Sequence, residues 1–443
     1  MVATSTPWWN SRVDGSIPYW ATSLAIDAEG NAHIAYHDCL DTNVKYASKK
    51  GGNWTFENVD SAENTGEYAS LALDAKGNPH IAYSCSYRGA HNCDLKFASK
   101  NSDGSWTVET VDGRSRCCAD WLYVRIGWWA SLALDARGNP HISYYDKSMI
   151  REGEEANNLK YASKSGSTWT VETVDSAGDV GKYTSLALDA KGDPHIAYSD
   201  STEHANRLLK YASKKGGKWT AEIVPTPPGS MGCSLALDAK GDPHIAYYEM
   251  TIWMRKGNLK YASKSGGSWM VETVESDAGE DPSLAFDAEG NPHIAYHDHP
   301  KGFLKYASKK GGNWTVEAVD CTALVVGYFA SLALDAYGNP HIAYYDLTNK
   351  YVKYASAAVE LNSPGTDWKL GTSRTVTWQG GGSVDLLISI DGGTNWIPLA
   401  SGLVGGSYDL QVPSLPTTFA KIKLERAMPH SVTITSGFLT IAL

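Results

Sequence analysis

Several features that mark other classes of protein are missing from this sequence of 443 residues. No apolar run approaches the ~18 residues of a membrane-spanning helix, so we expect no membrane span. The first five residues lack the basic and apolar segments of a signal peptide and are interpreted as a trimmed mature start with an added Met. The 39 Lys and Arg are outnumbered by 49 Asp and Glu, and the net charge of −10 argues against a nucleic-acid partner.

Cysteine is also scarce, with seven residues, all but one in predicted connections. We expect two local disulfides within one group of four, a third disulfide between Cys39 and Cys321, and a free thiol at Cys233. Free thiols throughout and a zinc site are the alternatives, although the spacing does not fit the usual Cys-x2-Cys pattern of zinc sites. The group of four comprises Cys85, Cys93, Cys117 and Cys118.

One pattern dominates what the sequence does contain. Residues 331–346 read Ser-Leu-Ala-Leu-Asp-Ala-Tyr-Gly-Asn-Pro-His-Ile-Ala-Tyr-Tyr-Asp, and each copy is followed by a [LV]-K-[YF]-A-S strand and, in six copies, by a Trp-led strand. Four strands repeated every 47 to 61 residues are the signature of a propeller, in which each repeat forms one blade. The other copies begin at Ser23, Ser70, Ser131, Ser185, Ser234 and Ser283.

The seventh copy lacks its Trp-led strand, and the N-terminus contains a match for it. Residues 8–14 repeat the pattern of residues 169–175, with Val and Asp five and six positions after the Trp. We therefore predict an all-β fold, a seven-bladed β-propeller over residues 1–357 closed by an N-terminal strand, which leaves no open sheet edge. Residues 358–443 carry short alternating strands and Gly/Pro turns, which predict a small β-sandwich.

The connections divide into a uniform set and a variable set, and the variable set is predicted to lie on one face. The longest are residues 84–94, 112–130 and 146–158, over blades 2 and 3. Variable loops are typical of a working surface, and exposed aromatic clusters mark sites, although such loops also need aromatic residues simply to pack. The candidate binding residues in these loops are Arg88, Arg114, Arg116, Arg125, Arg151, Tyr87, Trp121, Tyr123, Trp128 and Trp129.

A second aromatic set stands just before the first strands and is predicted to ring the mouth of the central channel. Gly232 and Asp281 interrupt it in blades 5 and 6. Planar rings with a polar edge suit the apolar CH faces of sugars. Packing between blades is the alternative interpretation. The set comprises Trp20, Tyr68, Trp129, Tyr183 and Phe329.

The histidines also divide into two groups. One occupies the same position in all seven blades, which indicates a repeated structural hydrogen bond, since catalysis needs one site and not seven. His297-Asp298-His299 is a weak candidate for a metal site. No cofactor is expected, and a structural cation stays open. The repeated group is His33, His80, His141, His195, His244, His293 and His341.

Two hairpin motifs carry a resemblance to known families. The linker Ser-Lys-Lys-Gly-Gly-Asn-Trp between third and fourth strands resembles a degraded Asp-box of sialidase-like propellers, and residues 389–396 form a complete one. The propeller resembles secreted bacterial-type Asp-box-like repeat proteins and, among seven-bladed enzymes, the ulvan lyase type. Residues 363–378 resemble immunoglobulin-like modules of secreted surface and polysaccharide-degrading proteins, which implies a spacer or attachment role.

Three functions follow as hypotheses. The first is an extracellular or cell-surface protein, monomeric, that binds a polysaccharide over blades 2 and 3. The second is a polysaccharide lyase acting by β-elimination on a uronate, which needs an acid, a base and a cation against the carboxylate. The third is a structural component of a surface assembly. The lyase resemblance implies His91 or Tyr87 as base, Tyr123 or Tyr145 as acid, and Arg88, Arg116 or Arg125 as the cation.

Overall fold

The computed structural model describes residues 8–14, 21–38, 41–50, 52–61, 65–85, 94–113, 124–151, 154–203, 206–251, 256–357, 360–361, 366–379, 383–404, 406–413, 416–426, 432–436 and 439–442. The regular elements in these ranges are β-strands. Within the same ranges, no helix is long and apolar enough to cross a membrane. The described chain is all-β, as its alternating patterns predict.

Seven four-stranded antiparallel sheets follow one another and form the blades of a β-propeller. Blade 1 contains β2 (Thr22–Ile26), β3 (Ala32–Asp38), β4 (Asn43–Lys50) and β5 (Asn53–Asp60). Blade 2 contains β6 (Thr65–Leu73), β7 (Pro79–Cys85), β8 (Leu95–Lys100) and β9 (Trp106–Asp112). Blade 3 contains β10 (Val124–Leu134), β11 (Pro140–Arg151), β12 (Glu154–Ser165) and β13 (Thr168–Asp175). Blade 4 contains β14 (Val180–Leu188), β15 (Pro194–Asp200), β16 (Leu208–Lys215) and β17 (Lys218–Ile223). Blade 5 contains β18 (Ser230–Leu237), β19 (Pro243–Thr251), β20 (Lys256–Ser265) and β21 (Ser268–Glu275). Blade 6 contains β22 (Glu280–Phe286), β23 (Pro292–Asp298), β24 (Phe303–Lys310) and β25 (Asn313–Asp320).

The seventh blade joins the two ends of the propeller sequence, which confirms the predicted closure. It contains β26 (Val326–Leu334), β27 (Pro340–Asp346) and β28 (Tyr351–Ser356), and its outer strand is β1 (Trp9–Asp14). The N-terminal strand pairs antiparallel with β28, with Trp9 opposite Ser356 and Asp14 opposite Val352. The outer edge of this blade is thereby occupied by a strand from the other end of the propeller sequence, so the N-terminus closes the ring.

A ring of side-chain hydrogen bonds surrounds the central channel. In each blade the hydroxyl of the first-strand serine accepts a hydrogen bond from the next blade. The donor is the backbone NH of the leucine that directly follows the equivalent serine there. The distances are 2.9–3.0 Å all the way round, including the bond from Leu24 to Ser331 that joins blades 7 and 1. The acceptors are Ser23, Ser70, Ser131, Ser185, Ser234, Ser283 and Ser331.

Apolar packing runs between blades, because each blade has a face of large residues and a face of small ones. Tyr46 and Val44 of blade 1, for example, pack in one buried cluster with Leu71, Ile81 and Tyr83 of blade 2. Burying such side chains contributes roughly 1.5–3 kcal/mol each. Because every cluster draws on two blades, the blades depend on one another for a core.

Polar contacts reinforce the same seams. The buried tyrosine of the second strand donates its hydroxyl hydrogen to an acid that ends the fourth strand of the preceding blade, as Tyr198 does to Asp175 at 2.7 Å. A lysine from the third strand, Lys210, donates to the same carboxylate at 2.5 Å. Blade 5 departs from this pattern, since Pro225 stands six residues after Trp219 where the acid belongs. The buried hydroxyl of Tyr247 consequently lacks a hydrogen-bond partner among the described residues.

The repeated histidines have the structural role that their repetition predicts. In six blades the Nδ1 atom is hydrogen-bonded to the tyrosine hydroxyl of the third strand, as in His33 with Tyr46 at 2.5 Å. In blade 2 the tyrosine is replaced by Phe97, and His80 stacks on its ring with centroids 5.7 Å apart. These histidines therefore join second and third strands and are not available as a catalytic centre.

The C-terminal residues form a β-sandwich of two sheets. One sheet contains β29 (Glu360–Leu361), β31 (Ser373–Gln379) and β34 (Ser407–Gln411). The other contains β30 (Asp367–Lys369), β32 (Val384–Ser389), β33 (Ile397–Leu403), β35 (Thr417–Arg426), β36 (Val432–Thr435) and β37 (Leu439–Ala442). Trp368 lies at the centre of its core and is 1% exposed. Within the hairpin of residues 389–396, the Asp391 carboxylate accepts hydrogen bonds from the backbone NH groups of Thr394 and Asn395.

One arginine of the sandwich occupies a gap in the propeller. At other seams a lysine pairs with a glutamate of the preceding blade, as Lys164 does with Glu109 at 2.5 Å. The corresponding residue of blade 7 is Ala357, which offers no charge. Arg426 is only 3% exposed, donates a hydrogen bond to the Ala357 carbonyl, and lies within the electrostatic reach of Glu317. The sandwich therefore supplies the cation that the seventh blade lacks.

Two predictions about connections need correction. Residues 146–158 were expected to form a long loop, but β11 and β12 continue to pair as far as Arg151 and Glu154, so most of the insertion is an extended hairpin. Cys321 is exposed and has no disulfide, so the predicted bond to Cys39 is absent. Cys233 has no disulfide either, as predicted, and Cys85 forms none, so its expected place in a local disulfide is wrong. Cys39, Cys93, Cys117 and Cys118 lie outside the described residues.

Candidate functional site

Seven equivalent residues at the mouth of the central channel share an unusual backbone. Each stands two positions before the first-strand serine, and all have φ between 48° and 57°. A left-handed conformation costs a non-glycine residue roughly 1–2 kcal/mol. In six blades the pairing of the first two strands shifts register here, which is a bulge that redirects a side chain. The residues are Ala21, Tyr68, Trp129, Tyr183, Gly232, Asp281 and Phe329.

The bulge depends on a glycine two residues earlier in most blades. A side chain at Gly127 would come within 3.1 Å of the Leu95 backbone, and one at Gly181 within 2.8 Å of the Leu159 backbone. Both glycines also have φ near 100°. The glycine thus lets the chain lie directly on the preceding blade, and the serine ring fixes the residues that follow. Strained residues that are held from both sides in this way cluster at functional sites.

The position was assigned to the wrong residue in blade 1. Trp20 was predicted to belong to the aromatic ring, but the equivalent of Tyr68 and Trp129 is Ala21, which has the same left-handed φ and lines the channel. Trp20 itself lies outside the described residues. Counting two positions back from Ser23, as in the other blades, gives Ala21, so the error came from choosing the neighbouring aromatic residue. The ring is therefore aromatic in blades 2, 3, 4 and 7 only.

Three of these aromatic residues form a continuous group that we call the aromatic ridge. The ring of Trp129 lies 5.2 Å from that of Tyr68 and 4.9 Å from that of Tyr183, centroid to centroid, with tilted planes. Trp128 extends the ridge, at 5.8 Å from Tyr68 and 5.6 Å from Trp129. The Arg125 guanidinium lies 4.4 Å over the ring of Trp128. The structure thus brings together five of the predicted site residues.

A polar network borders the ridge on blades 3 and 4. The ring of Tyr145 lies 5.6 Å from that of Trp129, and its hydroxyl is 2.7 Å from Asp179 Oδ1 and 3.0 Å from Asn157 Oδ1. Lys182 Nζ donates to the other oxygen of Asp179 at 2.5 Å. Tyr145 is one of the two candidate acids of the lyase hypothesis, but its proton is already directed at these acceptors. Asp179 and Lys182 were not predicted, because neither breaks the repeat conspicuously.

The opposite side of the mouth, on blades 6 and 7, is acidic. Burial raises the pKa of Asp281, whose carboxylate accepts a backbone hydrogen bond from Phe329 at 3.4 Å. Burial also raises the pKa of Glu280. Cross-strand from Glu280, His297 stacks on Tyr328 with centroids 4.1 Å apart, and burial lowers its pKa to about 4.

His297 and His299 do not form part of a larger metal-binding group. Their ring centroids are 6.2 Å apart and nearly perpendicular. His297 Nδ1 lies 2.8 Å from the Val326 carbonyl, so it carries the proton and donates it. Within the described ranges, no three His, Cys, Asp or Glu residues are arranged to hold a metal ion.

The channel mouth encloses a cavity of about 230 Å³. Its wall consists of the left-handed residues and the two residues that follow each of them, so it is built from all seven blades. Cys233 belongs to this wall, and its thiol donates to the Tyr183 carbonyl at 3.0 Å. Burial raises the pKa of Cys233 to about 12, so the thiol is a structural donor rather than a nucleophile.

The remaining predicted site residues fall outside what the structure describes. They include three proposed acid–base groups of the lyase hypothesis and most of the arginines. The main chain of Arg151 belongs to β11, but its side chain is not described. The others are His91, Tyr87, Tyr123, Arg88, Arg114, Arg116 and Trp121.

Comparison with known proteins identifies the fold. No protein-family model matches the chain, and no curated protein does. The polysaccharide lyase Uly1 aligns with a TM-score of 0.53 at 10% identity, over 79% of this chain and 98% of that chain. A PL25 ulvan lyase, also solved bound to -[GlcA(1-4)Rha3S]-, aligns with a TM-score of 0.50 at 13% identity, over 79% of this chain and 95% of that chain. At such identities the likeness shows a shared propeller fold.

Proposed function

We propose that this protein binds a polysaccharide outside the cell or at its surface, acting as a monomer, and that the ligand lies along the aromatic ridge. The ridge is the observation that carries the proposal. Its rings are contiguous, and those of Trp128, Trp129 and Tyr183 are half-buried, so part of each stays accessible. Amphipathic rings of this kind offer an apolar face to a sugar while their edges stay polar. The strained backbone at Tyr68, Trp129 and Tyr183 holds the rings at the channel mouth before any ligand arrives.

The polar groups beside the ridge suit sugar hydroxyls and acidic substituents. Arg125 lies at one end over Trp128, and Lys182 lies at the other end 5.7 Å from the ring of Tyr145. Aromatic surface with a few convergent polar groups is the usual composition of a ligand site. The connections of blades 2 and 3 carry further predicted residues that would extend this surface, namely Arg88, Arg114, Arg116 and Trp121.

The domain division supports a role in attachment. We propose that residues 1–357 recognise the ligand and that residues 358–443 form an immunoglobulin-like module. The hydrogen bond that Arg426 donates to the Ala357 carbonyl supports a contact between this module and blade 7. Such a module would hold the propeller at a defined orientation on whatever surface carries it.

Lyase activity is the second candidate, and Arg125 is the observation that favours it. A lyase of this class removes the proton next to the uronate carboxylate and breaks the neighbouring glycosidic C–O bond, so the carboxylate charge must be neutralised. Arg125 stands at the edge of a surface suited to sugars. His91 or Tyr87 would accept the proton and Tyr123 would return one to the leaving oxygen.

A glycan array tests the first candidate, and one absorbance assay separates the second. The array should show binding of purified protein to one or more polysaccharides, and binding to none would overturn the proposal. The bound polysaccharides are then incubated with the protein while absorbance of unsaturated uronate is followed. A rise that Arg125→Ala abolishes identifies a lyase, whereas binding without a rise identifies a binding protein.

A further inference from the structure

The cavity at the channel mouth is too small for the ligand of the ridge. Pockets that enclose a drug-sized ligand measure about 300–1,000 Å³, whereas this cavity measures about 230 Å³. A polysaccharide can therefore cross the mouth but not enter it. The cavity has room for one small group.

Four of the residues that line the cavity are aromatic, and the others are mostly small. Tyr68, Trp129 and Tyr183 stand on blades 2 to 4, and Phe329 stands on blade 7. Ala21 and Gly232 occupy the same position in blades 1 and 5 with little or no side chain, which leaves space beside the aromatic residues. Several aromatic rings that line one small space offer negative π faces, which favour a cation over a neutral group.

A single carboxylate accompanies these aromatic rings. Asp281 is the one Asp or Glu among the described residues that line the cavity, and no Lys or Arg lines it. It lies between Gly232 of blade 5 and Phe329 of blade 7, whose backbone NH it accepts at 3.4 Å. Its charge acts on the Tyr183 phenol, which places the carboxylate within electrostatic reach of the aromatic side.

We propose that the channel mouth binds an organic ammonium group, held between the aromatic rings and the Asp281 carboxylate. The inference goes beyond the glycan surface, because it adds a charged ligand held at Asp281, with Tyr68, Trp129 and Tyr183 shared between the two sites. A methylated ammonium is large, weakly hydrated and apolar at its rim, so an aromatic cage replaces its water shell at little cost. A primary ammonium on an amino sugar shares the charge and would be a second source of the same chemistry. The net charge of −10 attracts either one.

Isothermal titration with matched probes tests this directly. Choline is compared with 3,3-dimethyl-1-butanol, which has the same shape without the charge, and glucosamine is compared with N-acetylglucosamine. We expect at least one charged probe to bind, with its neutral partner at least tenfold weaker. Binding by choline alone identifies a quaternary ammonium as the natural chemistry, and binding by glucosamine alone identifies an amino sugar. Equal binding of a charged probe and its neutral partner, or binding of neither charged probe, overturns the proposal.

Variants assign the binding to the cage. Asp281→Asn and Asp281→Ala should each lower the affinity for the charged probe about tenfold or more. Asp281→Ala installs the residue that blade 1 already has at this position, so the fold tolerates it. Asp277→Asn removes the same charge four residues earlier, outside the cavity wall, and should leave binding unchanged. If Asp281→Ala binds choline as the native protein does, the assignment is wrong. Array binding of neutral glycans should survive Asp281→Ala, which separates this site from the ridge.

Discussion

A tyrosine-to-phenylalanine change at two equivalent positions should have opposite consequences for stability. Tyr198 of blade 4 donates its hydroxyl hydrogen to Asp175 at 2.7 Å, whereas the buried hydroxyl of Tyr247 in blade 5 has no partner among the described residues, because Pro225 replaces the acid. Both side chains are fully buried, and phenylalanine keeps the ring and its apolar packing at either position. The comparison isolates one hydrogen bond.

The magnitudes follow from the two environments. A hydrogen bond to a charged partner contributes about 1.5–3 kcal/mol, so Tyr198→Phe should lower the free energy of unfolding by that amount. An unpaired buried hydroxyl destabilises a protein by about 1–3 kcal/mol, so Tyr247→Phe should leave the free energy unchanged or raise it. The two variants should therefore differ by at least about 1.5 kcal/mol.

Urea unfolding measures the difference, provided that the slope m is the same for both variants. A further variant, Pro225→Asp, restores the missing acid. In that variant Tyr247→Phe should lower the free energy of unfolding, as Tyr198→Phe does in blade 4. The reasoning is refuted if Tyr247→Phe destabilises the protein as much as Tyr198→Phe does. It is also refuted if Pro225→Asp leaves the effect of Tyr247→Phe unchanged.

Three further predictions concern other parts of the molecule. Burial lowers the pKa of His37 and His297 to about 4 in the folded protein. As pH falls from 6.5 to 4, each histidine takes up a proton only on unfolding, which lowers the free energy of unfolding by up to about 1.4 kcal/mol per pH unit. The free energy of unfolding of His297→Gln, measured at several pH values, should therefore fall less steeply with pH. Arg426→Met should lower the thermal midpoint, measured by calorimetry, because the guanidinium bond to Ala357 is lost. Iodoacetamide should label exposed Cys321 in the native protein but spare Cys233 of the channel wall, whose thiol has a pKa raised to about 12, as peptide mass spectrometry can show.

Each of these has an outcome that contradicts it. An unchanged pH slope in His297→Gln would mean that the buried ring does not take up a proton on unfolding in this range. An unchanged midpoint in Arg426→Met would show that the Arg426 contact does not stabilise blade 7. Slow labelling of Cys321 at neutral pH would place that thiol in a disulfide or beneath a loop.

The repeat made most of the propeller predictable. Strand positions follow from the seven copies because Ser, Asp-Ala-x-Gly and His stand at fixed offsets in all of them, and residues 8–14 revealed the closing strand for the same reason. What varies between blades was predicted less well. The length of the insertion after Asp146 indicated a loop, whereas the two strands continue to pair as far as Arg151 and Glu154.

The site was predictable in composition but not in geometry. Tyr68, Trp129 and Tyr183 were identified from their offset before the first strand, yet nothing in the sequence reveals that their backbone is left-handed. The bulge arises from tertiary contacts, since Gly181 must lie on Leu159 and the serine ring must close. The role of Arg426 was likewise hidden, because Ala357 marks the missing lysine in the sequence but only the fold brings Arg426 to it.

The central claim, that the aromatic ridge binds a polysaccharide, is tested most directly by titrating the strongest array ligand against two variants. Trp129→Gly installs the residue that blade 5 has at this position and relieves a strained φ of 51°, so it should fold, yet it removes the middle of the ridge. Tyr337→Ala removes an equally prominent aromatic residue, 70% exposed, from a first-to-second turn at the other end of the strands. The account predicts that Trp129→Gly weakens binding about tenfold or more and that Tyr337→Ala leaves it unchanged. Equal affinity for the native protein and Trp129→Gly would contradict it.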